Sequence, residues 1–408
     1  MSAPHQMSRG ARGGRGMRRG GSRPPFAPRP APRPTFDLAL CDLAFPRVRP
    51  APDDTEFTQA LLKRHTELTP SPAEQAAVLH LVTKIETVVE NLAVVPGDFA
   101  AFQLLMVRHV GAFKQGTMLK GDNSADLVFI LKTLPTKEAV EGLSAKVTEE
   151  LKTLLAKDET KPGEPVLSVK TTVNILEGGF TVTYGDASVR VLVSTVNQNL
   201  RKLKPDVHLP YEIQRAHSSA IGHTMWFEEN AQHSSIKVLV RLLKDLCRRH
   251  SGLSPLKPWL LDTLAHYAIM NYPTRTPLPL NVAFRRVLQL LSSGFYLPGA
   301  MGAGGGGRGL RGGPAHTALG PEELDRATMT AQTLLRVLAR GGHAYVLGLQ
   351  EFEDGKDISC EITVWDGVVV SPLATAYEPS DLKTEQDDLY APMDEGDSDS
   401  PNPASTNV

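Results

Sequence analysis

Apolar residues recur at helical spacing through Val78, Leu81, Val82, Ile85, Val88, Val89 and Leu92. Just upstream, Ser71-Pro72-Ala73-Glu74 is a helix start, with Ser as N-cap, Pro in the first turn and Glu three residues on to close a capping box. Pro96-Gly97 supplies the stop. A shorter helix is predicted over 57–68, a strand over 106–110 and a helix over 136–155. Residues 126–132 are almost continuously apolar, as expected of a strand covered on both faces. After a charged turn region at 157–165, strands are predicted over 166–176, 180–184 and 188–196, with Gly178-Gly179 and Gly185-Asp186 as turns. Beyond Pro205 the period becomes helical, over 211–230, 235–250, 258–270, 282–292 and 321–339, and Gly341-Gly342 ends the last of these. A strand over 358–364 and another over 368–370 flank Trp365-Asp366-Gly367. The pattern predicts an α/β (α+β) chain: a lobe built on a mixed sheet, then a helical lobe.

Charge adds tails to this picture. The chain of 408 residues has a net charge of −1, but the two signs are segregated. Arg9, Arg12, Arg15, Arg18, Arg19, Arg23, Arg29 and Arg33 fall in a start without acids, where Arg12-Gly13-Gly14 and Arg19-Gly20-Gly21 read as RGG-type repeats ahead of a stiff proline-rich linker. Arginines spaced by glycine contact phosphates and stack on bases without a fixed fold, so Arg12, Arg15, Arg18, Arg19 and Arg23 are candidate nucleic-acid contacts; a disordered solubilising arm is the competing reading. From Glu378 onward acids dominate against Lys383 alone, which predicts a disordered acidic tail. The division is then 1–34 arm, 35–204 sheet lobe, 205–372 helical lobe and 373–408 tail, with 299–314 a glycine-rich insertion that lacks the Gly-Lys-Ser/Thr of a P-loop. The arginine-rich start has no apolar core of a secretory signal, and no apolar run approaches the ~20 residues of a membrane span. Cys41, Cys247 and Cys360 lie too far apart for a Cys-x-x-Cys zinc site and suit a reducing compartment; Cys247 falls in an apolar helical pattern and is expected in the core.

Candidate chemistry centres on residues 111–131. Gly111 and Gly116 let the backbone approach a phosphate closely, and Asp126 begins a strand where a Mg²⁺ ion would sit against a triphosphate. Gly111, Lys114, Gly116, Thr117 and Asp126 are therefore the candidate nucleotide-binding residues, and a vestigial turn that only supports the sheet is the alternative. The stretch resembles the signature of polymerase-β-type nucleotidyltransferases, a Gly-Gly/Ser turn, a spacer and Asp-x-Asp. The departures are specific. Ala112 replaces Gly or Ser, Ser124 stands where the first metal-binding Asp belongs, and the strand of residues 188–195 has no carboxylate to serve as the third. Asp122 is two residues out of register to substitute. Two metal ions need several carboxylates to balance charge and fix octahedral shells. The expectation is a nucleotidyltransferase fold without catalytic residues, metal ligands or a required cofactor; residual Mg-nucleotide (ATP or UTP) binding and, behind it, an active nucleotidyltransferase are the alternatives.

Other segments carry a wider resemblance. Ala44-Phe45-Pro46-Arg47-Val48, Trp226-Phe227-Glu228-Glu229-Asn230, Val238 through Leu246, Asn271-Tyr272-Pro273-Thr274-Arg275 and Trp365-Asp366-Gly367 are similar to the DZF domain. That resemblance implies an inactive nucleotidyltransferase fold that heterodimerises through its helical lobe. The partners would be larger DZF proteins carrying double-stranded-RNA-binding or zinc-finger domains. It implies a nuclear protein that meets RNA, and DNA as a second candidate, in transcription, RNA processing and RNA stability. Trp259, Tyr267, Tyr272 and Phe284 are the candidate interface anchors, against the alternative that they fill the lobe's own core. The basic stripe Lys237, Arg241, Lys244 and Arg248 is expected to be a solvated helix face. His217, His223 and His233 lack the spacing of a metal site and are expected to be ordinary helix residues.

Overall fold

The computed structural model describes residues 37, 53–95, 103–158, 168–271, 276–296 and 319–372. The arginine arm with Arg12, Arg15, Arg18, Arg19 and Arg23, the Pro96-Gly97 stop, Tyr272, the glycine-rich insertion and the acidic tail lie outside them.

Helix α1 (Thr55–Leu68) buries Phe57 and Leu61, one turn apart. Helix α2 (Pro72–Val94) begins with the expected capping box: Glu74 N donates to Ser71 Oγ at 3.2 Å, and Ser71 N donates to Glu74 Oε2 at 2.7 Å. All seven apolar positions read from the sequence of this helix are buried. Strand β1 (Leu104–Val110) leads into the short helix α3 (Gly111–Gln115), and β2 (Ser124–Leu131) follows. Helix α4 (Lys137–Asp158) precedes β3 (Lys170–Asn174), β4 (Gly179–Tyr184) and β5 (Ala187–Thr195). The strand expected over 166–176 is shorter, because Ile175–Glu177 closes into a 3₁₀ turn ended by Gly178 at φ 66°.

The five strands lie in the order β1-β2-β5-β4-β3. Only β2 and β5 are parallel, with Asp126 opposite Arg190 and Leu131 opposite Thr195. One sheet face, through Leu127, Phe129, Val189, Val191 and Val193, packs with α2 and α4. On the other, Val110, Val128 and Leu192 pack against Ala220 and Ile221 of α5 (Tyr211–Asn230).

A second core gathers α6 (Ser234–Arg249), α7 (Pro258–Met270), α8 (Leu280–Ser292), α9 (Pro321–Ala339) and the short α10 (His343–Val346). Phe57 and Leu61 of α1 belong to this helical core, although they precede the sheet in sequence. Asp37 does the same through a buried pair with Arg286 of α8, at 2.6 Å. A hairpin of β6 (Thr363–Trp365) and β7 (Val368–Val370) closes the described chain. Asp366 and Gly367 hold φ 49° and 71°, the two left-handed positions of a type I′ turn. The strand expected over 358–364 is confined to its last residues. Asp357 takes the backbone N–H of Ser359 at 2.9 Å and of Ser251 at 3.1 Å, folding residues before β6 into a turn. Among the described residues no helix is long and apolar enough to cross a membrane.

Candidate functional site

Asp126 occupies the third position of β2, on the sheet face that also carries Ser124. Directly across on β5 the pairing brings Ser188 beside Ser124 and Arg190 beside Asp126. Arg190 Nε donates to Asp126 Oδ1 at 2.8 Å, and Arg190 Nη1 lies 3.5 Å from Glu177 Oε2. Burial disfavours the Arg190 charge, but hydrogen bonds and attraction from Asp126 and Glu177 outweigh it and hold the guanidinium above its ordinary pKa. A fixed cation thus stands where the sequence pattern would place a third carboxylate. Sequence reading registered the missing acid but not the arginine that replaces it, because only strand register reveals which residue faces Asp126.

Gly111 lies against the same carboxylate. Its φ is +74°, and a Cβ there would fall 2.7 Å from Asp126 Oδ2. Gly111 N donates to Thr224 Oγ1 of α5 at 3.3 Å. The following residues form one helical turn rather than an open loop. Gly116, at φ +69°, closes it as its N–H donates to Phe113 O at 3.2 Å, and Thr117 N donates to Ala112 O at 2.9 Å. These two amides are therefore engaged with the backbone and do not form a free phosphate cradle. Lys114 pairs with Glu228 at 3.0 Å. Thr117 is fully buried. Of the five nucleotide-site candidates, Gly111 and Asp126 meet; Lys114, Gly116 and Thr117 are committed elsewhere.

The basic stripe of α6 is not the solvated face expected of it. Arg241 Nη2 donates to Gly116 O at 2.7 Å and its Nε to Met118 O at 3.1 Å. Lys244 Nζ donates to Thr117 O at 3.1 Å and Oγ1 at 3.0 Å. Arg248 pairs with Asp122, the residue two out of register for the motif. Helix α6 thus clamps residues 116–122 onto the helical core. Burial pulls the Lys244 ammonium below its ordinary pKa, against the attraction of Asp262 and Asp122, and burial also lowers Arg241. The signal was present in the sequence as basic residues at i, i+4, i+3 and i+4, but nothing local says what such a stripe faces.

The remaining candidates are placed as follows. Phe284 is fully buried in the helical core, in edge contact with Phe57, so it fills the lobe rather than an outer surface. Tyr267 and Trp259 pack at the core margin and remain partly exposed; the Arg286 guanidinium lies over the Tyr267 ring, 5.2 Å from its centroid, within cation–π range. Tyr272 lies outside the described residues. His217 sits between the carbonyls of Val193 and Glu177 at 3.0 and 2.9 Å, and His223 Nε2 lies 2.9 Å from the buried Asp262. His233 caps α6. Among the described residues, no group of three or more His, Cys, Asp or Glu side chains is suited to hold a metal ion.

Comparison with known families decides the identity of this arrangement. The DZF N-terminal domain model matches residues 16–232 and the DZF C-terminal domain model residues 235–371. The chain belongs to the DZF family. The two models meet between α5 and α6, so the clamp on residues 116–122 is made by the C-terminal DZF domain reaching the N-terminal one. Solved structures similar to this DZF chain include a cytoplasmic RNA terminal U-transferase, at 12% identity over 72% of this chain and 98% of that one, TM-score 0.46. The Cid1 poly(U) polymerase is similar at 13% identity, covering 70% and 95%, TM-score 0.45. CdnC of E. coli MS115-1 is similar at 13% identity, covering 72% and 94%, TM-score 0.44.

Proposed function

We propose that this DZF chain is a non-catalytic subunit that works by binding. The observation that carries the reading is Arg190 on Asp126. A guanidinium is a permanent cation with donors only, so it pairs with the Asp126 carboxylate and cannot ligate a metal. The neighbouring Ser124 and Ser188 add no charge. These residues do not fit the two divalent ions of a nucleotidyl transfer, and no step through a metal is drawn. The clamped loop points the same way, since Gly116 and Thr117 spend their polar groups inside the protein.

On this reading the subunit pairs with a larger DZF protein that carries double-stranded-RNA-binding or zinc-finger domains, and acts with RNA, or DNA, in nuclear transcription, RNA processing and RNA stability. DZF membership supports the partner class, and the segregated arginine arm supports the nucleic acid. Trp259 and Tyr267, at the margin of the helical core, are the candidate anchors that remain partly exposed.

Light scattering on the chain with and without a DZF partner tests the pairing: a stable heterodimer is expected, and a chain that stays a monodisperse monomer in the mixture overturns it. A transferase assay with ATP or UTP and Mg²⁺ tests the chemistry. Labelled product that disappears in Asp126→Ala overturns the non-catalytic reading.

A further inference from the structure

A concavity lies at the far end of the parallel strand pair. Its cavity volume is about 400 Å³, and Asn197, Leu200, Arg201, Tyr211, Arg215 and Ser218 line it. That size falls within the range of small-ligand sites. The pocket follows the carboxyl end of β5, whereas Arg190 lies nearer the start of that strand. At ~3.3 Å per residue, about 17 Å of strand separates Arg190 from Thr195 where the pocket begins. Crevices outside the carboxyl ends of parallel strands are where α/β sheets present ligand sites.

Both walls are held rigidly. Asn199 Nδ2 donates to Lys132 O at 2.7 Å and to Thr195 Oγ1 at 2.8 Å, which fixes the 3₁₀ turn Asn199–Lys202 to the strand ends. On α5, Tyr211, Arg215 and Ser218 share one face, at i, i+4 and i+7. The flanking position Gln214 is pinned by buried polar contacts: Ser194 Oγ donates to Gln214 Oε1 at 3.0 Å, and Gln214 Nε2 donates to Val193 O at 3.3 Å. The lining contains two arginines and no carboxylate. Arg201 and Arg215 are exposed, and neither has an ion-pair partner among the described residues. Tyr211 is 50% exposed.

We propose that this pocket binds a nucleoside phosphate. Two unpaired guanidiniums on a preformed wall match phosphate oxygens in fork geometry. A half-exposed tyrosine offers a stacking platform for a base, and the Asn197 amide and Ser218 hydroxyl supply donors and acceptors for a base edge or ribose hydroxyl. The permanent charge of arginine makes the site independent of a metal. The phosphate can belong to a free nucleotide or to a single-stranded RNA, and the test separates these sources. The proposal does not depend on the partner-binding reading above.

The test uses the full chain and a fluorescent single-stranded oligouridylate, with anisotropy read across a salt series. Arg201→Ala/Arg215→Ala is expected to weaken binding at least about tenfold and to reduce the salt slope by about 1.4, since each phosphate contact on a single strand contributes ~0.7. Tyr211→Ala is expected to weaken binding about tenfold with an unchanged slope, as one lost base stack does. Arg201, Arg215 and Tyr211 are all exposed, and an unchanged circular-dichroism melt verifies folding. Displacement of the oligomer by millimolar uridine monophosphate assigns the site to a free nucleotide; displacement only by a competing strand assigns it to RNA. Unchanged affinity and slope in the double variant place the binding in the arginine arm and overturn the proposal. So does loss of affinity in the arginine variant with none in Tyr211→Ala, which makes the surface a general polyanion contact.

Discussion

Lys244→Met isolates the clamp between the two DZF domains. Methionine keeps much of the stem's packing and removes only the ammonium, which donates to Thr117 O and Oγ1 at 3.1 and 3.0 Å. Hydrogen bonds from a charged donor contribute ~1.5–3 kcal/mol each, so the gross loss is about 3–6 kcal/mol. Relief of the burial that depresses the Lys244 pKa offsets part of this, and the remaining loss is about 2 kcal/mol. That value corresponds to a roughly 30-fold rise in local opening of residues 116–122, since 1.4 kcal/mol is a factor of ten. Hydrogen exchange resolved by residue reads it directly. The amides of Thr117, bound to Ala112 O, and Lys120, bound to Leu68 O, are expected to exchange about 30-fold faster, while those between β2 and β5 keep their wild-type rates. Lys237→Met is the control; among the described residues no hydrogen bond holds Lys237, and its effect should stay within about 0.5 kcal/mol. Unchanged exchange at Thr117 refutes the clamp. Equal loosening of the β2–β5 ladder refutes the idea that it acts on the loop alone.

Three further outcomes are expected. Gly111→Ala should cost about 2–3 kcal/mol more than Gly121→Ala in thermal unfolding: both glycines have positive φ, but only at Gly111 does a Cβ strike Asp126 Oδ2, at 2.7 Å; equal costs would contradict the close approach. Burial pushes the Asp357 carboxyl up, but hydrogen bonding and attraction from His250, with bonds from Ser359, hold it at about 2 against an ordinary 3.8. A depressed carboxylate pKa stabilises fully above the unfolded value and loses that contribution as pH falls from about 4 to 2, so Asp357→Asn should flatten the acid side of the stability profile by about 1 kcal/mol after discounting for solvent screening; an unchanged acid slope counts against it. Burial, with Asp245 nearby, pushes the Cys247 thiol up to about 12. In native protein at neutral pH, maleimide should label the exposed Cys360 and spare Cys247, as peptide mapping will show; rapid labelling of Cys247 contradicts its placement.

Local rules carried the elements far. The Ser71 capping box, the 211–230, 258–270 and 321–339 helices and the apolar strand after Asp126 were all legible, because caps and hydrophobic period act within a few residues. The absence of acids on the strand of residues 188–195 was equally plain in the sequence, and it already argued against a two-metal site. What the chain could not state was facing. Arg190 became the partner of Asp126 only through the parallel register of β2 and β5, which brings together residues 64 positions apart. The α6 stripe turned from solvent to clamp because the helical core seats it over residues 116–122, and Phe57 left the sheet lobe for the helical core for the same reason. A side chain's type and period are set by its neighbours in sequence, so sequence alone determines them. Which charge it neutralises depends on how two cores pack together, and only the folded chain decides that.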